Sequence, residues 1–168
     1  MKTWRVFIGL GSNIGDRAHY LNRAAAEMGR LPSTTTVWFS PVYESDPYGN
    51  TDQPKFLNAV GEVETALAPP ELLQELKKIE QALGRSKSEK WGPREIDLDI
   101  LIYDGLVLND ETVNVPHPDL EHRRFVLVPL REIAPDLVHP VNGMTVNEMA
   151  AACRDAGRVI RTPDHIRI

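Results

Sequence analysis

Apolar residues recur along this chain in two rhythms, a period of two that marks strands and a period near 3.6 that marks helices. Residues 6–10 predict a short apolar strand that runs into Gly11-Ser12-Asn13-Ile14-Gly15-Asp16. Asp16 or Asn13 can then cap a helix over about residues 17–30, with Leu21, Ala24, Ala25 and Met28 at core spacing. Residues 34–43, rich in Thr, Val and aromatics, predict a second strand. Residues 45–54 carry Pro47, Gly49, Asn50 and Pro54, and long loops of this kind are often functional. Residues 56–65 alternate as a third strand. Pro69 and Pro70 open a helix to about residue 83, with Leu72, Leu73, Leu76, Ile79 and Leu83 on one face and Gly84 as its stop. A basic loop at 85–94 leads to a fourth strand, 95–103, which ends at the turn pair Asp104-Gly105. Residues 107–115 predict a short hairpin strand. Residues 117–133 begin as a polar turn and continue as the apolar run Arg124-Phe125-Val126-Leu127-Val128-Pro129-Leu130. Residues 145–154 predict a last helix, and the tail from residue 158 is expected to be loosely held.

The order strand-helix-strand-strand-helix-strand over residues 6–103 is that of a ferredoxin-like α/β sandwich. The fold class expected is therefore α+β, an antiparallel sheet with helices on one face. At 168 residues, without repeats or a linker, one domain spanning 1–168 is expected. This architecture hosts RNA-binding modules, small-ligand regulators and enzymes alike, so it leaves function open.

Composition narrows the choice. Hydrophobic content of 42% and charged content of 26% suit an ordinary globular protein. A formal net charge of −5 argues against broad nucleic-acid binding, although it permits a local basic groove for a small anion. Cys153 is the single cysteine, so neither an intramolecular disulfide nor a cysteine-based zinc site can form. The first eight residues lack the apolar run of a signal peptide, and no apolar run approaches the roughly 18–20 residues of a membrane span. A cytoplasmic location, with no membrane partner, is expected.

Candidate chemistry concentrates on the fourth strand. Asp97 and Asp99 are two residues apart, so they point to the same face with α-carbons roughly 6.5 Å apart. Two like charges held together in an apolar strand repel and lose hydration, and a hard cation such as Mg²⁺ compensates them best. An isolated D-x-D can equally be an edge strand with two solvated acids. The surroundings shift the balance. Arg85, Lys87, Lys90 and Arg94 lie in the ten residues before the strand, offset there by Glu89 alone. Polyphosphate transfer needs that pairing of carboxylates for metal with cations for phosphate oxygens. A second cationic cluster, His117 to Arg124, follows the strand. Zinc through His117 and His122 lacks a third ligand at a recognisable spacing, so phosphate contacts from His117 and Arg123 fit better.

Gly9-Leu10-Gly11-Ser12-Asn13-Ile14-Gly15 misses the dinucleotide spacing by one residue and lacks the lysine of a P-loop, so it reads as a tight strand-to-helix turn. Phe56 and Phe125 could sandwich a flat ring whose edge Asn58 would read, or could be plain core.

Several segments together resemble one family. They are Gly11-Ser12-Asn13, Asp52-Gln53-Pro54-x-Phe56-Leu57-Asn58, Gly84-Arg85, Trp91-Gly92-Pro93-Arg94-x-Ile96-Asp97-Leu98-Asp99-Ile100, Pro116-His117-Pro118 and Arg123-Arg124-Phe125-Val126-Leu127-x-Pro129-Leu130. In this order they resemble the 6-hydroxymethyl-7,8-dihydropterin pyrophosphokinases of folate biosynthesis. The resemblance implies transfer of the β,γ-pyrophosphoryl group of ATP, the co-substrate, to the hydroxymethyl oxygen of a reduced pterin, with release of AMP. It implies that Asp97 and Asp99 bind two Mg²⁺ ions. It implies that Phe56 and Phe125 stack on the pterin while Asn58 and the backbone of the Ser45–Tyr48 loop, with Ser45, Pro47 and Tyr48, read its edge. Arg85, Lys87, Trp91 and Arg94 fall in the family's catalytic loop, with Lys87, Trp91, Arg94, His117 and Arg123 on ATP. Glu80, Ile100 and Asn114 align with positions lining the ATP side. Lys87 and Lys90 stand where arginine is frequent, which keeps charge but loses the bidentate fork. Asp119 and Glu121 add acid that the pattern does not explain. The implied partners are these small molecules, with no nucleic acid, and a monomer is expected.

Two rivals remain at this level. A ferredoxin-like RNA-binding module would show a basic sheet face with exposed aromatics. A metal-dependent phosphodiesterase or nucleotidyltransferase could use the same aspartates, but would not explain the Phe-Leu-Asn and Arg-Arg-Phe segments.

Overall fold

β1 (Trp4–Ser12) is the central strand, and its alternation decides how the rest is arranged. Val6, Ile8 and Leu10 go to one hydrophobic cluster while Phe7 goes to another on the opposite face. A strand buried on both sides needs a layer on each. The computed structural model, which describes residues 1–84 and 93–167, supplies them. α1 (Arg17–Met28) and α2 (Pro69–Ala82) cover the Val6 face, and α3 (Arg124–Ile133) and α4 (Val146–Ala152) cover the Phe7 face. Helices therefore flank both faces of the sheet, where the pattern predicted one. The second layer comes from the apolar run after the polar turn, a helix that buries Val126, Leu127, Leu130 and Ile133.

β4 (Phe56–Thr65) and β5 (Asp97–Tyr103) flank β1, and every pairing in the sheet is antiparallel. The second predicted strand is two. β2 (Thr34–Phe39) covers residues 61–65 of β4, and β3 (Tyr43–Ser45) covers residues 56–58. The break falls at Pro41, which has no N–H to give a ladder. Ser40 bridges it, its N–H donating to the Val60 carbonyl (2.8 Å) and its Oγ accepting from Val60 N–H (2.9 Å). Fourth strand beside first, first beside third and third beside second is the ferredoxin-like order.

Three smaller features shape the site end. Ile8 pairs with Ile100 but Phe7 with Ile102, so β5 bulges at Leu101 and turns both Leu101 and Ile102 to the α3 side. The segment 107–115 forms a two-stranded ribbon, β6 (Leu108–Asn109) with β7 (Asn114–Val115). The tail forms β8 (Val159–Arg161), which pairs with β3 at the sheet edge. Asp16, of the two predicted caps, closes α1, its side chain accepting from His19 N–H at 3.1 Å.

Candidate functional site

On the α3 face, at the end where β5 begins, the sheet carries a cavity of about 250 Å³. Its floor is made by two residues without side chains. In the register Gly9 lies between Asp99 on β5 and Val60 on β4, and Gly11 lies between Asp97 and Asn58. A side chain at residue 11 would press on Asn58 and Phe56, while residue 9 has room for a methyl group. These glycines thus sit inside a strand and not in a turn. Gly15, at φ +71°, is the one in the turn that the spacing predicted.

Asp97 and Asp99 form one wall and are about one-third exposed, 34% and 37% by side chain. An arginine faces each. Arg94 Nη1 lies 3.9 Å from Asp97 Oδ1, and Arg123 Nη1 lies 3.9 Å from Asp99 Oδ2. Arg123 is only 11% exposed and is held from several sides. Its Nη2 lies 3.4 Å from Asp119 Oδ2, and its guanidinium carbon stands 5.6 Å from the Tyr48 ring and 5.7 Å from the Phe125 ring. The two acids that the family pattern leaves unexplained have roles here. Asp119 holds Arg123, and Glu121 accepts from Asn142 Nδ2 at 3.3 Å.

The opposite wall is aromatic and amide. Phe56 and Phe125 are half-buried and line the cavity with Tyr48, whose ring centroid lies 5.9 Å from that of Phe125. Asn58 is buried. Its Nδ2 donates to Ser45 Oγ at 2.5 Å, which leaves Oδ1 over Gly11. Tyr43, paired with Asn58, donates its hydroxyl to Glu132 Oε1 of α3 at 3.0 Å. Burial and that bond push the Tyr43 phenol up to about 12.

His117 is half-buried beside Arg123 and Asp119, on the acidic side. Burial and the Arg123 charge push it down to about 4, so it is neutral at pH 7. Its Nδ1 accepts from Asp119 N–H at 3.1 Å, which assigns the ring proton to Nε2 as a donor.

The structure thus gathers Ser45, Tyr48, Phe56, Asn58, Arg94, Asp97, Asp99, Arg123 and Phe125 around one cavity. Pro47 is half-buried in the loop between Ser45 and Tyr48, away from the lining. Asn114 is exposed on β7. Glu80 and Ile100 belong to the other side of the sheet. Ile100 is in the core under α2, and Glu80 Oε2 accepts the Leu98 N–H at 2.8 Å from behind the aspartates. Arg85, Lys87 and Trp91 lie outside the described residues.

Reading motifs singly missed Gly9, Gly11 and Val126, which also line the cavity. It also missed the role of Asn13, which is buried and ties three segments together. Asn13 Oδ1 accepts from Arg94 N–H (2.7 Å), its N–H donates to the Arg94 carbonyl (3.0 Å), and its Nδ2 donates to Gln53 Oε1 (2.9 Å) and the Pro54 carbonyl (3.0 Å).

Fold and cavity together define an α/β sandwich with a small-ligand pocket at one end of its sheet, acidic and cationic on one side and aromatic on the other. A family model described as 7,8-dihydro-6-hydroxymethylpterin-pyrophosphokinase (HPPK) matches residues 7–135, and this chain belongs to that family. The 2-amino-4-hydroxy-6-hydroxymethyldihydropteridine pyrophosphokinase of Methylorubrum extorquens is 46% identical over 153 residues, covering 91% of this chain and 96% of that one. The protein of the same name from Aquifex aeolicus is 45% identical over 136 residues, covering 81% and 84%. A crystal structure of Plasmodium falciparum HPPK-DHPS with pterin and p-hydrobenzoate shares the fold at a TM-score of 0.70 and 16% identity, covering 90% of this chain and 44% of that one. The chain thus spans less than half the length of that neighbour. No helix among the described residues is long and apolar enough to cross a membrane.

Proposed function

We propose that this chain transfers the β,γ-pyrophosphoryl group of ATP to the hydroxymethyl oxygen of 6-hydroxymethyl-7,8-dihydropterin, giving the pterin diphosphate and AMP. One observation carries the site assignment: the Asp97–Asp99 wall and the Asn58–Phe56–Phe125 wall face each other across a glycine floor. The aromatic wall accepts a flat ring, with Asn58 and the Ser45–Tyr48 loop at its edge. The acidic wall places the triphosphate next to it.

The acceptor oxygen attacks the β-phosphorus in line. A new O–P bond forms, the bond from that phosphorus to the bridging oxygen breaks, and the oxygen leaves on AMP while the hydroxyl proton is released. Positioning supplies much of the rate in such transfers. Arg94 and Arg123, now opposite the aspartates, are placed to turn to phosphate oxygens, and His117 Nε2–H adds a neutral donor. Arg85, Lys87 and Trp91 would act from the loop before β5. Ile100 and Leu98 share the outer side of the edge strand β5, where Leu98 N–H meets Glu80. What Ile100 can offer the nucleotide is therefore its backbone.

The donor set fits magnesium. Asp97 and Asp99 present hard oxygens on one face, half-open to the cavity, and among the described residues no third His, Cys, Asp or Glu completes a cage. Substrate phosphates and water would fill the remaining positions of two Mg²⁺ ions. Bound there, the ions would neutralise phosphate charge and lower the pKa of the attacking hydroxyl. We place the protein in the cytoplasm as a monomer.

Incubation with ATP, Mg²⁺ and the hydroxymethyl-dihydropterin is expected to give AMP and the pterin diphosphate. Equal ATP consumption without the pterin would overturn the reading. Asp97→Ala and Asp99→Ala are expected to lower AMP formation by at least about a thousandfold with the far-UV spectrum unchanged. Full activity in either variant would sink the metal assignment.

A further inference from the structure

β3 is three residues long, yet the loop that follows it brings Ser45, Asp46 and Tyr48 to the cavity. On its inner side it has only the pairs Tyr43–Asn58, Glu44–Leu57 and Ser45–Phe56. Pro41 separates it from β2, so it receives no continuous ladder from upstream. A strand this short is marginal with a neighbour on one side only. Its other side is covered by β8, with Tyr43 opposite Arg161, Glu44 opposite Ile160 and Ser45 opposite Val159.

The contacts continue past both ends of this ladder. Thr162 N–H and Oγ1 both donate to the Val42 carbonyl, each at 2.9 Å. At the cavity end, Asp46 N–H donates to the Arg158 carbonyl (3.1 Å) and Arg158 N–H donates to Asp46 Oδ2 (3.0 Å). Both main-chain groups of Arg158 are thus spent on one residue of the cavity lining, and the Arg158 side chain is not needed for either bond. Farther on, Arg167 N–H donates to Asn22 Oδ1 at 2.5 Å, and Ile166 packs on the core, which anchors the tail to α1.

We infer that the C-terminal strand β8 is a positioning element of the acceptor site: the main chain of Arg158 fixes Asp46, and with it the loop that bounds the pterin pocket. The inference rests on the acceptor reading of this cavity. It makes pterin affinity depend on a segment that touches no substrate, while the phosphate side, carried by β5 and the turn before α3, meets the positioned loop through the contact of Arg123 with the Tyr48 ring.

The test uses the full chain. Arg158→Pro removes the N–H given to Asp46, and Thr162→Pro removes the N–H given to Val42. Arg158→Ala keeps the main chain and serves as the conservative variant. Pterin and a non-hydrolysable ATP analogue with Mg²⁺ are titrated separately, and KM is measured for each substrate. Both proline variants are expected to weaken pterin binding about tenfold or more and to raise its KM. Analogue affinity should stay within twofold, and Arg158→Ala should match the parent. Unchanged pterin affinity in the proline variants overturns the inference. So does an equal loss of both ligands, which assigns the tail to general stability. A parent protein that binds no pterin refutes the acceptor reading instead.

Discussion

A methyl group at residue 11 would sit 3.1 Å from Asn58 Oδ1 and 3.6 Å from Phe56 Cδ1. The first distance is too tight for the carboxamide to stay where Ser45 holds it. At residue 9 the nearest atom is Leu101 Cδ2 at 3.5 Å, an ordinary contact. Gly11→Ala is therefore expected to weaken pterin binding by about tenfold, within the usual penalty for overpacking, while Gly9→Ala stays near the parent. Fluorescence titration of the pterin distinguishes the two. His117 carries a second residue-level prediction. Its pKa is about 4 folded against 6.5 when unperturbed, so the unfolded chain binds the proton more readily. The resulting stability is whole above about pH 6.5, declines as pH falls and is gone below about pH 4, a loss of up to about 3 kcal/mol. Denaturant melts across that window should show the slope, and His117→Asn should flatten it. A triphosphate placed beside the ring would raise its pKa, so nucleotide binding near pH 5.5 should take up protons, read by calorimetry in buffers of different ionisation enthalpy.

At the scale of elements, β2 and β4 meet where Gly61 leaves no room. A Cβ there would lie 2.5 Å from Phe39 Cε1. Gly61→Ala is expected to cost about 1–3 kcal/mol and to lower the melting point by several degrees, with pterin binding retained by the separate strand β3. Strands with a clear period were legible from the chain: the alternation of 56–65 and the aliphatic run of 97–103 both gave the observed elements. The Pro69-Pro70 start and Gly84 stop bracketed α2 for the same reason, since Pro and Gly act through local backbone geometry. The apolar run at 124–133 carried no such signal. Its β-branched residues suit a strand, and only the uncovered Phe7 face of the sheet requires a helix there. The glycine floor was equally hidden. Spacing along one strand cannot show that Gly11 has Asp97 on one side and Asn58 on the other. Asp97, Asp99 and the cations were legible because charge inside an apolar stretch stands out without any knowledge of register.

In the whole molecule, two separate hydrophobic clusters share one sheet, and the ligand cavity opens between the sheet and the second of them. Occupying it should therefore tie the α3 layer to the sheet. A Mg²⁺–ATP analogue at about a hundred times its Kd is expected to add about 2.7 kcal/mol and raise the melting point by roughly 5–10 °C. Asp97→Ala should abolish that shift in a thermal melt. The bulge at Leu101 bears on how such a molecule can change over time. It resets the phase of β5, so the stretch before it and the stretch after it answer to different constraints. A deletion of one residue between Arg94 and Asp97 would pull Arg94 off Asn13 or displace the buried Ile96. Deletion of Ile100 would instead let Leu101 pair with Ile8, removing the bulge and leaving Asp99 opposite Gly9 and Asp97 opposite Gly11. Single-residue deletions in a lineage of such chains should therefore be tolerated at the bulge and purged from the stretch between Arg94 and Asp99.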